Sequence, residues 1–406
     1  MSDNQDVPDW VRSIPDSWRL FPVGKLFDER KEYVSDTEFP ALSVTKRGVI
    51  PQLSDVAKTQ NGDSRKLVRS GDFVINSRSD RKGSSGISEQ DGSVSVVYTV
   101  LRPREELDLN FVHHLLRSSA FQEEFYRWGS GIVADLWSTR YSAMKKIMLP
   151  TPPLDEQRAI ADYLDRETQK IDELIDEQRG LIETLRERRQ AVIDDVFLRR
   201  TTGSRRLRRL LTSSITGPFG TQLKASEYVN DCVPVVNPTH IVDSRIRPDR
   251  SITVTNEKSV ELERFRIFPG DVILGRKGDV DKAAVVSEVE EGYICGSDSM
   301  ALRPSGEVNG EYLWWYLQSP SAHRQLEQWS VGSTVAGLNQ RTISHLEIPT
   351  MDLSGQLEIC AYLNAQTSRI DELISESEDL IALSQERRAA LITAAVTGQI
   401  DVRTTA

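Results

Sequence analysis

The chain repeats itself at an offset of 199 residues, and this repeat restricts the possible folds more than any other feature. Residues 150–198 align with residues 349–397 without a gap, and 21 of those 49 positions are identical. Ile171-Asp172-Glu173-Leu174-Ile175 recurs as Ile370-Asp371-Glu372-Leu373-Ile374. Tyr163-Leu164 recurs as Tyr362-Leu363, and Glu187-Arg188-Arg189 as Glu386-Arg387-Arg388. An ungapped match of this length means one structural unit used twice. Sparser matches reach back into the preceding segments. Gly71-Asp72 aligns with Gly270-Asp271, Leu101-Arg102-Pro103 with Leu302-Arg303-Pro304, and Trp128 and Gly131 with Trp329 and Gly332. The order is therefore variable domain, shared helix, variable domain, shared helix.

The shared segments have the spacing of helices. Apolar residues fall at Ile171, Leu174, Leu181 and Leu185 in the first copy, and at Ile370, Leu373, Leu380 and Leu391 in the second. Steps of three and four describe a heptad seam. Ile175, Ile182 and Ile193 lie beside it, and Ser377 and Ser384 weaken the middle of the second copy. Asp155 and Ser354 are the expected N-caps and Gly398 the expected C-terminal stop. A seam needs a partner, and the economical solution is that the two copies pack on each other as an antiparallel coiled coil. Two independently oligomerising helices are the alternative. A helix of ~32 residues would be ~48 Å long, the length of roughly 14 base pairs of duplex.

These boundaries give four segments: a first recognition domain (1–150), a first helical spacer (151–200), a second recognition domain (201–348) and a second spacer (349–400). The fold class is α+β, with an internal pseudo-two-fold repeat. Strands are expected at 72–76, 93–101, 233–236, 271–274 and 283–286, with a single helix over 110–128 and another over 311–329. Trp314 and Trp315 are expected in the core.

The net charge of −10 is informative only once it is located. Lys plus Arg against Asp plus Glu is 21 to 21 over residues 1–150 and 17 to 18 over 201–348. It is 9 to 13 over 151–200 and 4 to 9 over 349–406. The acidity sits in the helical segments. The large domains are near neutral with local basic clusters, and it is the local field that governs affinity for phosphate. The first residues lack the apolar run of a signal peptide, and no stretch approaches the ~20 apolar residues of a membrane helix. Three widely spaced cysteines, Cys232, Cys295 and Cys360, suit structural thiols in a reducing cytosol.

Basic and amide residues cluster in loops beside the strands. In the first domain these are Lys46, Arg47, Arg65, Lys66, Arg78, Arg81, Lys82 and Arg140. In the second they are Asn237, Thr239, Arg276, Lys277, Ser333, Thr334, Asn339, Gln340 and Arg341. Arg, Asn and Gln suit hydrogen bonds to base edges, while Lys, Ser and Thr suit phosphates. Taken singly, each reads equally well as a solvated surface residue. Their matched placement in two domains favours double-stranded DNA. No P-loop is present. Asn237-Pro238-Thr239-His240 lacks the second Pro and the aromatic of an amino-methyltransferase motif. The histidines show no zinc spacing. A pure scaffold and a self-contained enzyme remain as alternatives.

The chain as a whole resembles the specificity subunit of Type I restriction–modification systems. The residues that carry the resemblance are Pro152-Pro153-Leu154-Asp155-Glu156-Gln157, residues 160–164, 168–175 and 185–190, and Val396-Thr397-Gly398-Gln399-Ile400-Asp401. Within the domains they are the two Gly-Asp pairs, Leu302-Arg303-Pro304 and Gly332-Ser333-Thr334. The resemblance implies two target recognition domains, each reading one half of a bipartite, asymmetric DNA target. It implies a coiled coil that sets the spacer and docks two modification subunits. Those subunits methylate adenine with S-adenosylmethionine, and two restriction subunits would add ATP-driven cleavage. On this reading the chain itself carries neither cofactor nor catalysis and is cytoplasmic. One departure stands out: Met351-Asp352-Leu353-Ser354-Gly355-Gln356 replaces the Pro-Pro turn of the first copy.

Overall fold

The computed structural model describes residues 8–52, 64–78, 81–104, 106–131, 137–201, 203–276, 282–330 and 340–402. It divides into two compact units, residues 1–178 with 378–406, and residues 179–377. Each unit combines one strand-rich domain with a stretch of both long helices.

The first unit is built on a four-stranded antiparallel sheet in the order Phe27–Glu29, Tyr98–Pro103, Phe73–Asn76, Ser85–Ile87. The second has the same order from Leu211–Thr216, Ser299–Pro304, Val272–Gly275 and Ala283–Val285. Val74 faces Val100 in the first sheet, and Ile273 faces Ala301 in the second. Each domain is closed by a strand pair joining its two ends: Arg19–Pro22 with Met148–Thr151, and Gly203–Arg206 with Glu347–Thr350. The smaller sheets differ. Arg65–Val68 pairs antiparallel with Gly92–Val94, whereas Val233–Val236 runs parallel to Ile294–Cys295.

The Gly-Asp repeat has a physical cause. Gly71 and Gly270 lie at φ +88° and +86°, the left-handed region that glycine enters without Cβ strain. The turn sends the following aspartate inward. Asp271 Oδ2 accepts from the Phe268 N–H at 3.0 Å and from Arg303 Nη2 at 2.9 Å. Asp72 Oδ2 accepts from the Arg69 N–H at 2.8 Å and from Arg30 Nε at 2.6 Å. The aligned Leu-Arg-Pro motifs therefore do not do the same work. Arg303 fills the buried pair, but Arg102 pairs with exposed Asp28 at 3.2 Å, and Arg30, just after the strand Phe27–Glu29, takes the inward place.

Each expected domain helix is two helices. In the first domain these are Leu109–Arg117 and Ser119–Arg127. Ser118 leaves helical geometry and caps the next helix, accepting from the Phe121 N–H. In the second domain they are Gly310–Leu317 and Pro320–Ser330. Here Pro320, which cannot donate to a preceding turn, forces the break. The expected strand 93–101 is likewise two, Gly92–Val94 and Tyr98–Pro103.

The long helices are Leu154–Arg199 and Leu353–Val396. At 1.5 Å per residue they measure roughly 69 and 66 Å, longer than the ~48 Å expected from the seam alone. They begin one residue before the expected caps: Asp352, not Ser354, caps the second, accepting from the Gly355 N–H at 3.1 Å. Gly398 closes it at φ +74°, with the Gln399 N–H reaching back to Ala394 O at 2.8 Å. This is the αL ending that glycine permits.

The helices are antiparallel within each unit. In the first, Ile160, Ala161 and Leu164 share a core with Ile392, Ala395 and Val396, and Asp172 accepts from Arg388 at 2.9 Å. In the second, Ile193, Val196 and Phe197 share a core with Ile359, Cys360 and Leu363, and Arg189 donates to Asp371 at 3.0 Å. The seam is not the one expected. Ile171, Ile175, Ile182, Leu185 and Ile370 are buried, with Leu391 partly so. Leu174, Leu181, Leu373 and Leu380 are 36–44% exposed. Leucine and isoleucine adjoin at 174–175 and 181–182, so the apolar stripe is wide enough for either phase. Packing selected Ile175 and Ile182.

The two helix starts, unlike in sequence, are alike in structure. Gln157 and Gln356 are each 1% exposed. Gln157 Oε1 accepts from the Asp108 N–H at 2.9 Å, and its Nε2 donates to Pro152 O and Glu106 O. Gln356 Oε1 accepts from the Asn309 N–H at 2.8 Å, and its Nε2 donates to Glu307 O and Met351 O at 2.9 and 3.0 Å. Asp108 and Asn309 in turn cap the domain helices. One amide thus ties the start of each long helix to its domain, and the loss of the Pro-Pro turn leaves that tie intact. Trp315 lies in the second core at 2% exposure, with Trp314 packed against it. Burial pushes the thiols of Cys295 and Cys360 up to about 12, so both are neutral packing groups.

Candidate nucleic-acid interface

In the first unit the candidate cations separate by burial. Arg65 and Lys66 belong to the strand Arg65–Val68, which is buried on both faces. Arg65 Nε donates to Ser93 Oγ at 2.9 Å. Lys66 Nζ donates to Tyr98 O at 2.8 Å, and burial pulls its ammonium below the usual range despite Glu29 at 3.8 Å. A buried cation already satisfied by the protein is closed to a duplex, and both leave the set of surface contacts.

The remaining first-domain candidates are exposed at turns. Lys46 and Arg47 form the turn between Leu42–Thr45 and Gly48–Pro51. Arg78, Arg81 and Lys82 lie in the connection between the strand Phe73–Asn76 and the edge strand Ser85–Ile87. Arg140 is drawn to the same place. Thr139 N–H donates to Ser77 O at 2.8 Å, and Arg78 bridges to Ser138. Tertiary structure thus gathers cations that lie about 60 residues apart in sequence. Lys82 Nζ sits 5.3 Å from the centre of the Tyr126 ring.

In the second unit the site forms around a close backbone approach. A Cβ on Gly217 would fall 2.0 Å from Gly296 O, and one on Gly296 would fall 2.1 Å from Asn237 Oδ1. Only glycines let these loops meet. The junction brings Asn237 beside Gly296, whose neighbour Ser297 O accepts from Arg276 Nη1 at 3.2 Å. The Arg276 guanidinium stacks 4.9 Å from the ring centre of Phe219, which is 49% exposed. Thr239 is exposed. Gln340 is fixed by its Nε2 donating to Ser214 O at 2.8 Å, and Arg341 is exposed beside it. Lys277, Ser333, Thr334 and Asn339 lie outside the described residues.

Phe219 is the residue that sequence reasoning passed over. Its signal was an aromatic bracketed by glycines, Gly217-Pro218-Phe219-Gly220. In a loop, such an aromatic has no core to enter. The arrangement offers a planar cation and an aromatic face at one edge, and amide and hydroxyl groups beside them. These groups can stack on bases and donate to base edges or phosphates. Among the described residues no group of three or more His, Cys, Asp or Glu could hold a metal. No described helix is long and apolar enough to cross a membrane.

Residues 220–381 match the family model described as the Type I restriction modification DNA specificity domain. A curated relative, the Type I restriction enzyme StySPI specificity subunit of Salmonella potsdam, is 23% identical over 198 residues. That alignment takes in 47% of this chain and 42% of the relative's length. A solved chain from work on complex assembly and conformational transition of the type I R-M system covers 96% of this chain and 100% of its own. Its TM-score is 0.73 at 18% identity. The HsdS subunit from Thermoanaerobacter tengcongensis covers 96% of this chain and 98% of its own, with a TM-score of 0.52 at 19% identity. The resemblance to Type I specificity subunits carried by the repeated helices is thus met independently by the family model over 220–381, by a curated relative and by the fold.

Proposed function

We propose that this chain is the DNA-specificity subunit of a Type I restriction–modification complex, reading a bipartite, asymmetric target with one half-site per domain. The observation that carries the reading is the duplicated frame. The same sheet order, Gly-Asp turn and glutamine tie recur in both units, while the loop groups differ: exposed Lys46, Arg47, Arg78, Arg81, Lys82 and Arg140 in one, and in the other exposed Phe219, Thr239, Gln340 and Arg341 with half-buried Asn237 and Arg276. A shared frame with unlike reading groups suits two unlike sequences.

The partially exposed leucines support docking of modification subunits on the long helices. Leu174 and Leu380 lie in the first unit, and Leu181 and Leu373 in the second. Recurrence of partly exposed leucines at repeated positions in both units suits a like partner docked on each. The chain positions DNA, and its partners transfer methyl groups to adenine, with S-adenosylmethionine, and ATP where restriction subunits join, bound on them in the cytoplasm.

The test is coexpression with the cognate modification subunit, followed by mapping of methylated adenine. Two short blocks at a fixed separation are expected. Deleting one heptad from both long helices removes ~10.5 Å of rise, about 3 base pairs, and should shorten the preferred spacer. Methylation by the chain alone, or footprints without two blocks, would refute the reading.

A further inference from the structure

The two units differ where the domain helix meets the long helices. In the second unit that place is filled by indoles. Trp315 is 2% exposed, Trp314 Nε1 donates to Ala283 O at 3.0 Å, and the ring centres are 4.5 Å apart. Arg189 of the long helix lies over Trp315 at 5.7 Å.

At an offset of 201 the first unit has His113 and His114 in place of the tryptophans, and at 199 it has Arg388 in place of Arg189. The smaller rings leave a cavity of about 340 Å³, lined by Lys46, Lys82, Arg117 and Arg388 together with the two histidines. The histidines are already committed. His114 Nε2 lies 2.7 Å from Asp165 Oδ1. His113 Nε2 accepts from Arg117 Nη1 at 2.6 Å, which requires the neutral ring. Burial, with Arg117 and His114 beside it, holds His113 down at about 4. Arg117 Nη2 donates to Lys46 O. Arg388 gives Nε and Nη2 to Asp172, leaving Nη1 uncommitted. Among the described residues neither Lys46 nor Lys82 meets a carboxylate.

Four cations line one cavity, and the two carboxylates at its edge, Asp172 on Arg388 and Asp165 on His114, leave the cluster short of negative charge. Burial makes the Arg117 guanidinium costly to hold charged, and the neighbouring cations add repulsion unless an anion shares the cluster. In the second unit the matching positions hold Trp314 and the buried Trp315, so the fold does not require histidines there. We infer that the first unit holds an anion site, seating a phosphate group between its domain and the segments of the long helices that belong to it. A volume near 340 Å³ takes a phosphate with several waters, each filling ~30 Å³. Lysines supply point charges and Arg388 an N–H donor, the usual pairing for tetrahedral oxyanions. This goes beyond the specificity reading and would stand without it.

The test uses the full chain and inorganic phosphate or pyrophosphate, titrated calorimetrically against chloride at matched ionic strength. Saturable binding is expected. Lys46→Ala with Lys82→Ala, both at exposed turns, should weaken it roughly tenfold or more. His113→Trp with His114→Trp should abolish it by filling the cavity, with circular dichroism verifying the fold. No binding above chloride, or binding unchanged in the lysine variant, overturns the site. Adding a short duplex separates the sources: displacement of phosphate assigns the seat to a backbone phosphate, and simultaneous binding assigns it to a free anion.

Discussion

Replacing Gln356 by alanine tests the tie between domain and long helix. Gln356 is 1% exposed. Its side chain accepts one N–H, from Asn309 at 2.8 Å, and donates to two carbonyls, Glu307 and Met351, at 2.9 and 3.0 Å. An orphaned buried donor costs about 1–3 kcal/mol. The carbonyls keep a second lone pair and lose less. The expected loss is about 3 kcal/mol, roughly a hundredfold in the opening equilibrium. Because the chain divides into two compact units, a single melting temperature would blur the effect. Hydrogen exchange resolved to peptides over 307–317 reads it locally. Exchange there should accelerate by up to about a hundredfold, while the equivalent peptides over 106–117 stay unchanged. Gln356→Glu should not rescue, since a carboxylate cannot donate to either carbonyl. A loss under about 1 kcal/mol, less than one orphaned group costs, would refute the claim that this amide holds the helix start.

The other predictions concern the buried aspartates, the helix ending, the surface cations and acid stability. Asp271→Ala removes the acceptor for Arg303 and the Phe268 N–H and should cost about 3 kcal/mol, because it strands a partly buried guanidinium; urea unfolding of the second unit checks it. Gly398→Ala places a Cβ 2.3 Å from Pro15 Cδ at φ +74° and should destabilise the first unit by about 1–3 kcal/mol, measured by exchange near the helix end. Arg78→Ala and Arg81→Ala should each lower the salt slope of duplex binding by about one, whereas Arg65→Ala should cost stability and leave the slope alone. An equal slope in all three would remove the exposed turns from the interface. His113 has a folded pKa near 4 against 6.5 unfolded. Its neutral form therefore supports folding fully above pH 6.5, and that support is lost as pH falls from 6.5 towards 4. The first unit should lose stability over that window, and His113→Asn should flatten the dependence.

The sequence by itself determined the duplication, the order of the elements and the antiparallel pairing of the helices. These follow from identities such as Ile171–Ile175 with Ile370–Ile374, because a repeated apolar stripe in one chain can bury itself on its own copy. Tertiary structure decided matters that depend on atoms far apart in sequence. Which neighbour in Leu174-Ile175 faces inward was set by packing, since both fit a helical period. Arg65 and Lys66 were carried inward because their strand is covered on both faces, a fact of burial that no local pattern contains. Arg30, just past the end of the strand Phe27–Glu29, took the place at the buried aspartate, because Arg102 on the adjoining strand pairs outward with Asp28. The exchange of His113-His114 for Trp314-Trp315 is legible in the repeat, but the gathering of Lys46, Lys82, Arg117 and Arg388 around those histidines is not, because the four come from segments far apart in sequence.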